Sequence, residues 1–221
     1  MRINKFIAAA TGLSRRVADK AVEQGHVRVN GHAATPGQEV NDTDSVTLNH
    51  KKITAPAASQ TIVLNKPAGY VVSRDGQGSK TIYELLPPQL HHLKPVGRLD
   101  KDSSGILLLT NDGQLAQELT HPKYQKTKVY EVTLSQSLQP LHHQMISDHG
   151  VQLTDGPSKL QLERLHDGNG KAWRVRMHEG RNRQIRRTFA ALGYSVQTLH
   201  RTNFGAYQLG GDLTPGAFRP A

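Results

Sequence analysis

A run of four apolar residues, Ile-Leu-Leu-Leu at positions 106–109, constrains the fold of this chain more than any other segment. A short continuous apolar run bounded by turn residues is typical of a strand that is buried on both faces. The run directly follows a loop that has glycine at both ends, Gly97 and Gly105, and that holds Asp100 between two cations. The sequence therefore predicts a carboxylate in a loop at the start of a buried strand. Such a group is either an ordinary loop aspartate or a positioned catalytic group.

The first 50 residues have the pattern of a small α/β unit. A helix is predicted over residues 3–10, and Ser14 is suited to cap a second helix that Gly25 ends. Alternating residues then predict strands over 27–29 and 45–48, the first of which runs into an Asn-Gly turn. The apolar face of the second helix is expected to consist of Val17, Ala18, Ala21 and Val22.

Two arginines, Arg15 and Arg16, fall in the first turn of the second helix, where the helix dipole disfavours cations. A phosphate bound to the free N–H groups of that turn would compensate the positive charge of the two arginines. The alternative is that both arginines are simply solvated. Residues 2–7, 14–19 and 25–31 resemble the small RNA-binding domain named after ribosomal small-subunit protein S-four. This resemblance implies binding of structured RNA, and the residues expected to contact it are Arg2, Lys5, Ser14, Arg15, Arg16, Lys20, Arg28 and Asn30.

The composition changes after this unit. Residues 55–60 are small and uncharged, contain one proline and lack periodicity, which is typical of a linker. A strand-like run over 61–64 then begins a second unit. We therefore expect a domain at 1–54, a linker at 55–60 and a domain at 61–221, whose Gly- and Pro-rich last twelve residues close it as an extended tail.

The charge of the chain points to a polyanionic partner. The formal net charge is +10 at pH 7, and a strongly basic soluble domain most often binds nucleic acid. Between Lys171 and Arg187 there are seven cations and one anion, Glu179, so that more than half of the excess charge lies in one short segment. This distribution favours a binding surface; a solvated helix face is the alternative.

Two further segments of the second domain are candidates for chemistry. Residues 126–134 alternate as a strand, with Tyr130 on the apolar face, where a tyrosine taken alone is more typical of a core residue. The second segment runs from residue 178 onward and contains a helix that Gly193 ends. Its apolar face is expected to carry Ile185, Phe189 and Leu192, and its opposite face Arg183, Arg186 and Arg187.

Taken together, five motifs closely resemble the pseudouridine synthases, in particular the RsuA-type branch that joins an S-four-like domain to the catalytic domain and modifies ribosomal RNA. The motifs lie at residues 65–69, 97–100, 128–130, 182–187 and 199–201. The resemblance implies an α+β fold, in which the catalytic domain is built on a mixed, mainly antiparallel β-sheet flanked by helices and loops.

The resemblance also implies roles for individual residues. Asp100 corresponds to the catalytic aspartate, Tyr130 to the residue stacked on the target uracil, and Arg186 to the basic partner of the aspartate. The residues expected to bind the substrate are Arg98, Arg181, Arg183, Ile185, Arg187 and Leu199.

The implied reaction explains why these residue types are needed. Uridine must be flipped out of stacked RNA, and an aromatic platform with cations on flanking phosphates offsets the cost of unstacking. A cation close to the Asp100 carboxylate keeps it ionised in a pocket that has lost its water. The carboxylate could attack the sugar, attack the base or assist removal of the C2′ proton, for which Tyr130 could be the acceptor. No cofactor is expected, because reactant and product are isomers.

Other classes of protein fit less well. The chain has no cysteine, which excludes disulfides and thiolate metal sites and is compatible with the cytosol. It also lacks the His-Glu-x-x-His motif and a complete Gly-rich phosphate loop, and the histidine pairs at 91–92 and 142–143 lie in polar stretches. We therefore expect no metal, and no apolar run approaches the length that spans a bilayer or forms a signal-peptide core.

The serious alternative is a non-catalytic RNA-binding protein, such as a ribosome-assembly factor that keeps this scaffold. The presence of Asp100, Tyr130 and Arg186 argues against it. The expected partner in either case is ribosomal RNA or an assembling ribosomal subunit, bound by a cytoplasmic monomer.

Overall fold

The structure is a computed structural model that describes residues 1–41, 43–54, 59–165 and 170–221. The chain divides into two compact units, residues 1–59 and 60–221, and each has its own hydrophobic core. Residues 55–58, most of the predicted linker, lie outside the described residues. None of the described helices is long and apolar enough to cross a membrane.

The first unit joins two helices and a four-stranded antiparallel sheet around one core. Its elements are α1 (Ile3–Thr11), α2 (Arg15–Glu23), β1 (Val27–Val29), β2 (His32–Ala33), β3 (Val46–Leu48) and β4 (Lys51–Ile53). The strand order is β2-β1-β3-β4, and Asn30 and Gly31 both have positive φ, as the tight β1–β2 turn requires.

The predicted ends of α2 are confirmed. Ser14 accepts a hydrogen bond from the Val17 N–H, and Gly25 is left-handed, with the next N–H donating back to the carbonyl of Ala21. The predicted apolar face is wrong at Val17, which is 46% exposed. The buried residues of α2 are Ala18 and Val22, which lie one turn apart. Because consecutive helical residues are about 100° apart, Val17 lies at the solvent-exposed edge of this buried face.

The second unit is built on one large sheet. Its strands are β5 (Thr61–Lys66), β6 (Lys94–Pro95), β7 (Ser104–Thr110), β8 (Lys128–Leu134), β9 (Val151–Leu153), β10 (Gly156–Ser158), β11 (Gln161–Arg164), β12 (Ala172–Met177), β13 (Val196–Phe204), β14 (Tyr207–Gln208) and β15 (Phe218–Pro220). Its α-helices are α3 (Gly113–Thr120), α4 (Pro140–Gln144) and α5 (Gln184–Ala190). Shorter helical turns lie at Ile82–Leu85, Pro88–Leu90, Pro122–Tyr124 and Met145–His149.

The order of the main sheet is β11-β12-β8-β13-β7-β5-β15, with β14 paired to β13 and β6 to β7. The β7–β13 pair is parallel and the other described pairs are antiparallel, which confirms the mixed, mainly antiparallel α+β fold. β9 and β10 form a separate hairpin.

The apolar run at 106–109 lies in β7 and is fully buried, as predicted. Leu107 and Leu109 belong to the large core on one face of the sheet, whereas Ile106 and Leu108 belong to a smaller core on the other face. Because side chains alternate along a strand, a strand covered on both faces needs a continuous apolar sequence.

The C-terminal tail is more ordered than the sequence suggests. β15 pairs with β5, with Phe218 opposite Leu64, and so completes one edge of the sheet. Its last residue, Pro220, has no N–H to donate, and proline is tolerated in a strand at such an edge.

Candidate active site

A cavity of about 530 Å³ opens in the second unit beside the loop before β7, the strands β8 and β13, and the start of α5. Three of these elements are neighbours in the sheet, in the order β8-β13-β7. The loop before β7 supplies Asp100, β8 supplies Tyr130, β13 supplies Leu199 and α5 supplies Ile185. Four residues that are far apart in the sequence therefore line one cavity.

Apolar side chains from the sheet and from α5 form part of the cavity wall. Tyr130, Ile185 and Leu199 are 8%, 4% and 7% exposed, and all three belong to the main core. Tyr130, Val132 and Leu134 are buried and alternate with the half-buried Glu131 and Thr133, as predicted, but Val129 is buried as well. A concave site with an apolar wall and a few polar groups at its rim suits a flat, partly apolar ligand such as a nucleobase.

The carboxylate of Asp100 lies at the rim of the cavity, with its side chain 31% exposed. Its Oδ2 is 3.6 Å from Nη1 of Arg183. Arg183 also donates two hydrogen bonds of 3.2 Å to the two carboxylate oxygens of Asp102. One guanidinium group therefore contacts both carboxylates of the loop.

Arg186, which the resemblance makes the basic partner of Asp100, contacts Asp102 in this structure, whereas Arg183 lies close to Asp100. Nη2 of Arg186 lies 3.3 Å from Asp102 Oδ2 and donates to the Asp102 carbonyl, and Nη1 donates to the carbonyl of Val196. Arg183 precedes α5 with a left-handed backbone (φ +46°) and so does not follow the helical spacing. The helical pattern could not predict where its side chain lies.

Asp102 was not singled out by the sequence. Burial acts to raise the pKa of its carboxyl, but the hydrogen bonds from Arg183 and the charge of Arg186 outweigh burial and lower the pKa. The bond to Asp102 in turn raises the pKa of Arg183. Asp102 is thus a fixed anion that holds two cations beside Asp100.

Lys66 lies in the motif at residues 65–69, but sequence reasoning gave it no role. Its side chain is fully buried, and its Nζ donates to the carbonyls of Pro67, Asp100 and Ser103 at 3.0, 3.1 and 2.6 Å. The ammonium group therefore ties the loop that carries Asp100 to the end of β5. Burial lowers the pKa of Lys66 to about 8, although the nearby carboxylates of Asp102 and Asp100 act to raise it. The sequence signal that could have indicated a buried lysine is its place at the end of an apolar strand, directly before a proline.

Two of the predicted phosphate-binding arginines are paired with one carboxylate. Asp155, between β9 and β10, accepts bonds from Arg181 at 3.0 Å and from both Nη atoms of Arg187 at 3.0 and 2.8 Å. Arg181 lines the cavity, whereas the described lining does not include Arg187. Arg98 also lines the cavity and is exposed.

Two buried or half-buried cations support the cavity from the sheet side. Arg201 is 2% exposed, donates twice to the carbonyl of Ile106 and lies over the ring of Phe204. Lys128 lines the cavity, and burial together with the charge of Arg201 lowers its pKa, against the opposite effect of Glu179. Both cations raise the positive potential of the site.

The predicted RNA-binding residues of the first unit lie on its surface. Arg15 and Arg16 lie in the first turn of α2, and both are exposed. The other exposed residues of this set are Arg2, Ser14, Lys20, Arg28 and Asn30, whereas Lys5 is half-buried. Asn30 also has a local role, since its amide donates to Asp44 and accepts from the Ser45 N–H. Contact of these residues with RNA stays a prediction.

The comparison with protein families decides the assignment. Residues 60–191 match the family model described as RNA pseudouridylate synthase, and residues 1–46 match the S4 domain. The chain belongs to the RNA pseudouridylate synthase family. Asp100, Tyr130 and Ile185 of the cavity all lie within the matched region.

Individual relatives in this family cover nearly the whole chain. Ribosomal small subunit pseudouridine synthase A of Pasteurella multocida is 38% identical over 99% of this chain and 95% of its own. Ribosomal large subunit pseudouridine synthase B of Bacillus subtilis is 35% identical over 97% and 92%. A crystal structure titled pseudouridylate synthase superposes with a TM-score of 0.72 at 34% identity, covering 100% of this chain and 96% of the other.

The described residues contain no group of three or more His, Cys, Asp or Glu side chains suited to hold a metal ion. Several histidines have other partners: His142 contacts the hydroxyl of Tyr194, and His143 lies against the ring of Trp173.

Proposed function

We propose that this protein converts a specific uridine of ribosomal RNA into pseudouridine and that Asp100 is the catalytic group. The observation that carries the proposal is the placement of Asp100, with Arg183 at 3.6 Å, at the rim of a cavity lined by Tyr130, Ile185 and Leu199. Ribosomal RNA as the substrate is supported by the names of the small-subunit and large-subunit relatives.

The reaction breaks the C1′–N1 bond, turns the released uracil and forms a C1′–C5 bond. The hydrogen on C5 leaves to solvent and N1 takes up a proton, so that atoms balance without an oxidant or reductant. The base reaches the cavity by flipping out of the RNA, which costs a few kcal/mol of unstacking. Tyr130 provides a stacking surface, and Ile185 and Leu199 close the apolar wall.

The cations divide into two groups in this proposal. Arg183 takes the role of basic partner to Asp100, and Arg186 orients the loop through Asp102. Arg98 is free to bind a phosphate beside the flipped nucleotide, whereas Arg181 and Arg187 bind phosphate after exchange with Asp155. Such an exchange is feasible because a phosphate offers the same bidentate geometry as a carboxylate.

The first unit supplies further affinity for structured RNA, through Arg15 and Arg16 at the start of α2 and the neighbouring surface cations. We propose a monomer that acts in the cytoplasm on ribosomal RNA or on an assembling subunit. The cysteine-free composition and the basic charge support this setting.

Release of tritium from ribosomal RNA that carries 5-tritiated uridine tests the proposal. We expect release by the wild-type chain and a loss of at least about 1,000-fold in Asp100→Asn, because the amide keeps the shape of the carboxylate without its charge. RNA binding by the Asn variant should stay within about twofold of wild type. The matched control is Asp112→Asn, which changes the same residue type at the N-cap of α3.

Each outcome has a definite meaning. Release by Asp100→Asn at the wild-type rate would exclude Asp100 as the catalytic group. No release by the wild-type chain from the RNA of either subunit, with RNA binding retained, would favour a ribosome-assembly factor on this scaffold.

A further inference from the structure

A second cavity, of about 440 Å³, adjoins the active-site cavity in the same unit. The two cavities share four wall residues: Pro122, Met177, His178 and Glu179. Met177, which is 4% exposed, forms a buried wall. The two cavities are therefore direct neighbours.

The residues that belong only to the second cavity are polar or cationic. They are Gln125, Lys159, Gln161 and Arg176. Gln161 of β11 pairs directly with Arg176 of β12, so an amide and a guanidinium group lie side by side at this end of the sheet. All four side chains are exposed.

Arg176 differs from the other arginines between 171 and 187 in its ion pairing. Five of them are within 4.0 Å of a carboxylate: Arg174, Arg181, Arg183, Arg186 and Arg187. Within the described part of the chain, neither Arg176 nor Lys159 forms an ion pair. A phosphate that meets these two cations has no carboxylate to displace.

We propose that the second cavity binds the nucleotide next to the target uridine in the substrate RNA. Arg176 and Lys159 hold its phosphate, and the amides of Gln125 and Gln161 meet the edge of its base. Single-stranded RNA is commonly bound in this way, with cations along the backbone and polar groups on the base edges. This inference rests on the proposed function, because the neighbour is defined by the uridine in the first cavity.

The chain offers a closely matched control for Arg176. Arg174 lies two residues earlier on β12 and so on the same face, with the same charge, but it is paired with Glu163 at 3.1 Å. The variants Arg176→Gln, Lys159→Gln and Arg174→Gln therefore remove one cation each from one neighbourhood. A general loss of positive charge would affect all three alike.

Steady-state tritium release and RNA binding across salt concentrations measure the effect. For Arg176→Gln and Lys159→Gln we expect KM and Kd to rise about tenfold each, with kcat unchanged. The slope of log K against log salt should fall by about one for each variant. Arg174→Gln should stay within about twofold of wild type. Equal effects of Arg174→Gln and Arg176→Gln would overturn the proposal.

Shortened substrates test the position of the contact. One RNA begins at the target uridine and so lacks its 5′ neighbour. The second RNA ends at the target uridine and so lacks its 3′ neighbour. We expect the difference between wild type and Arg176→Gln to disappear with one of them and to persist with the other. Persistence with both RNAs would overturn the proposal, whereas a wild-type chain that releases no tritium from the full-length ribosomal RNA would instead contradict the proposed function.

Discussion

At the scale of single residues, charge burial organises this active site. Lys66 and Asp102 are not expected to touch the substrate, yet they bind the backbone and the arginines that surround Asp100. Lys66 has three carbonyl acceptors for its three N–H donors, which is full use of an ammonium group. The position of the Asp100 carboxylate therefore depends on the ammonium group of Lys66 and on the carboxylate of Asp102.

Replacement of Lys66 by Met should reduce stability at pH 7. The variant has a similar length but leaves three carbonyl oxygens without this donor, and each buried acceptor without a partner costs about 1–3 kcal/mol. We expect the free energy of unfolding in urea to fall by roughly 3 kcal/mol. Lys52→Met, at an exposed site in β4, is the control and should have little effect.

The same residue gives a pH dependence with a definite sign. Because the pKa of Lys66 is about 8 in the folded protein and about 10.4 in an unfolded chain, the unfolded chain binds more protons between these values. The free energy of unfolding should therefore rise with pH in this window, by roughly 2–3 kcal/mol in wild type relative to Lys66→Met. Urea unfolding of both proteins from pH 7 to 10 measures the difference, and a difference that stays constant would contradict the burial of this charge.

At the scale of elements, the parallel pair β7–β13 brings two backbones unusually close. A Cβ on Gly105 would lie 2.2 Å from the carbonyl oxygen of Arg201, and Gly105 has a φ of +105°. The two strands are also joined by a side chain, because Arg201 of β13 donates two hydrogen bonds to the carbonyl of Ile106 in β7. The loop that carries Asp100 thus leads into the sheet at a point where only glycine fits.

Gly105→Ala should therefore be strongly destabilising. We expect a loss of about 3 kcal/mol or more, from the clash with backbone and the positive φ together, and a lower rate of tritium release because the Asp100 loop must shift. Gly113→Ala, at the start of α3, is the matched control: nothing lies within 4 Å of its added Cβ, so it should be neutral or slightly stabilising. Similar melting temperatures for the two variants would contradict this reading of β7.

The ends of the helices were predictable, because they depend on local chemistry. Ser14 and Gly25 bracket α2 as expected. Helix α5 ends at Ala190, earlier than expected, and the left-handed Gly193 ends the turn that follows it. The orientation of Arg183 was not predictable, because a residue before the first helical turn does not follow the helical period.

At the scale of the whole molecule, positive charge is distributed over both units. The first unit carries Arg15 and Arg16 at the start of α2, and the second carries the arginines between 171 and 187, most of which have carboxylate partners. The net charge alone therefore overstates the number of cations that are ready to bind phosphate in the second unit.

Removal of the two cations at α2 should weaken RNA binding without changing the chemical step. For the double variant Arg15→Gln and Arg16→Gln, we expect the slope of log K against log salt to fall by about two, with kcat unchanged at saturating RNA. The double variant Lys51→Gln and Lys52→Gln removes the same charge from β4 of the same unit as a control. Identical slopes for the two variants would indicate a general charge effect and not a phosphate site at α2.

The sequence by itself determined the family, the mixed sheet with its buried strand β7, the helix ends and the residues of the apolar wall, because these depend on local pattern and on motifs. Only the tertiary structure decided which charges pair: Arg183 with Asp100, Arg186 with Asp102, Lys66 with the backbone of the Asp100 loop, and Asp155 with Arg181 and Arg187. Ion pairing depends on distances of a few ångströms between residues far apart in the chain, and those distances exist only once the strands have found their register.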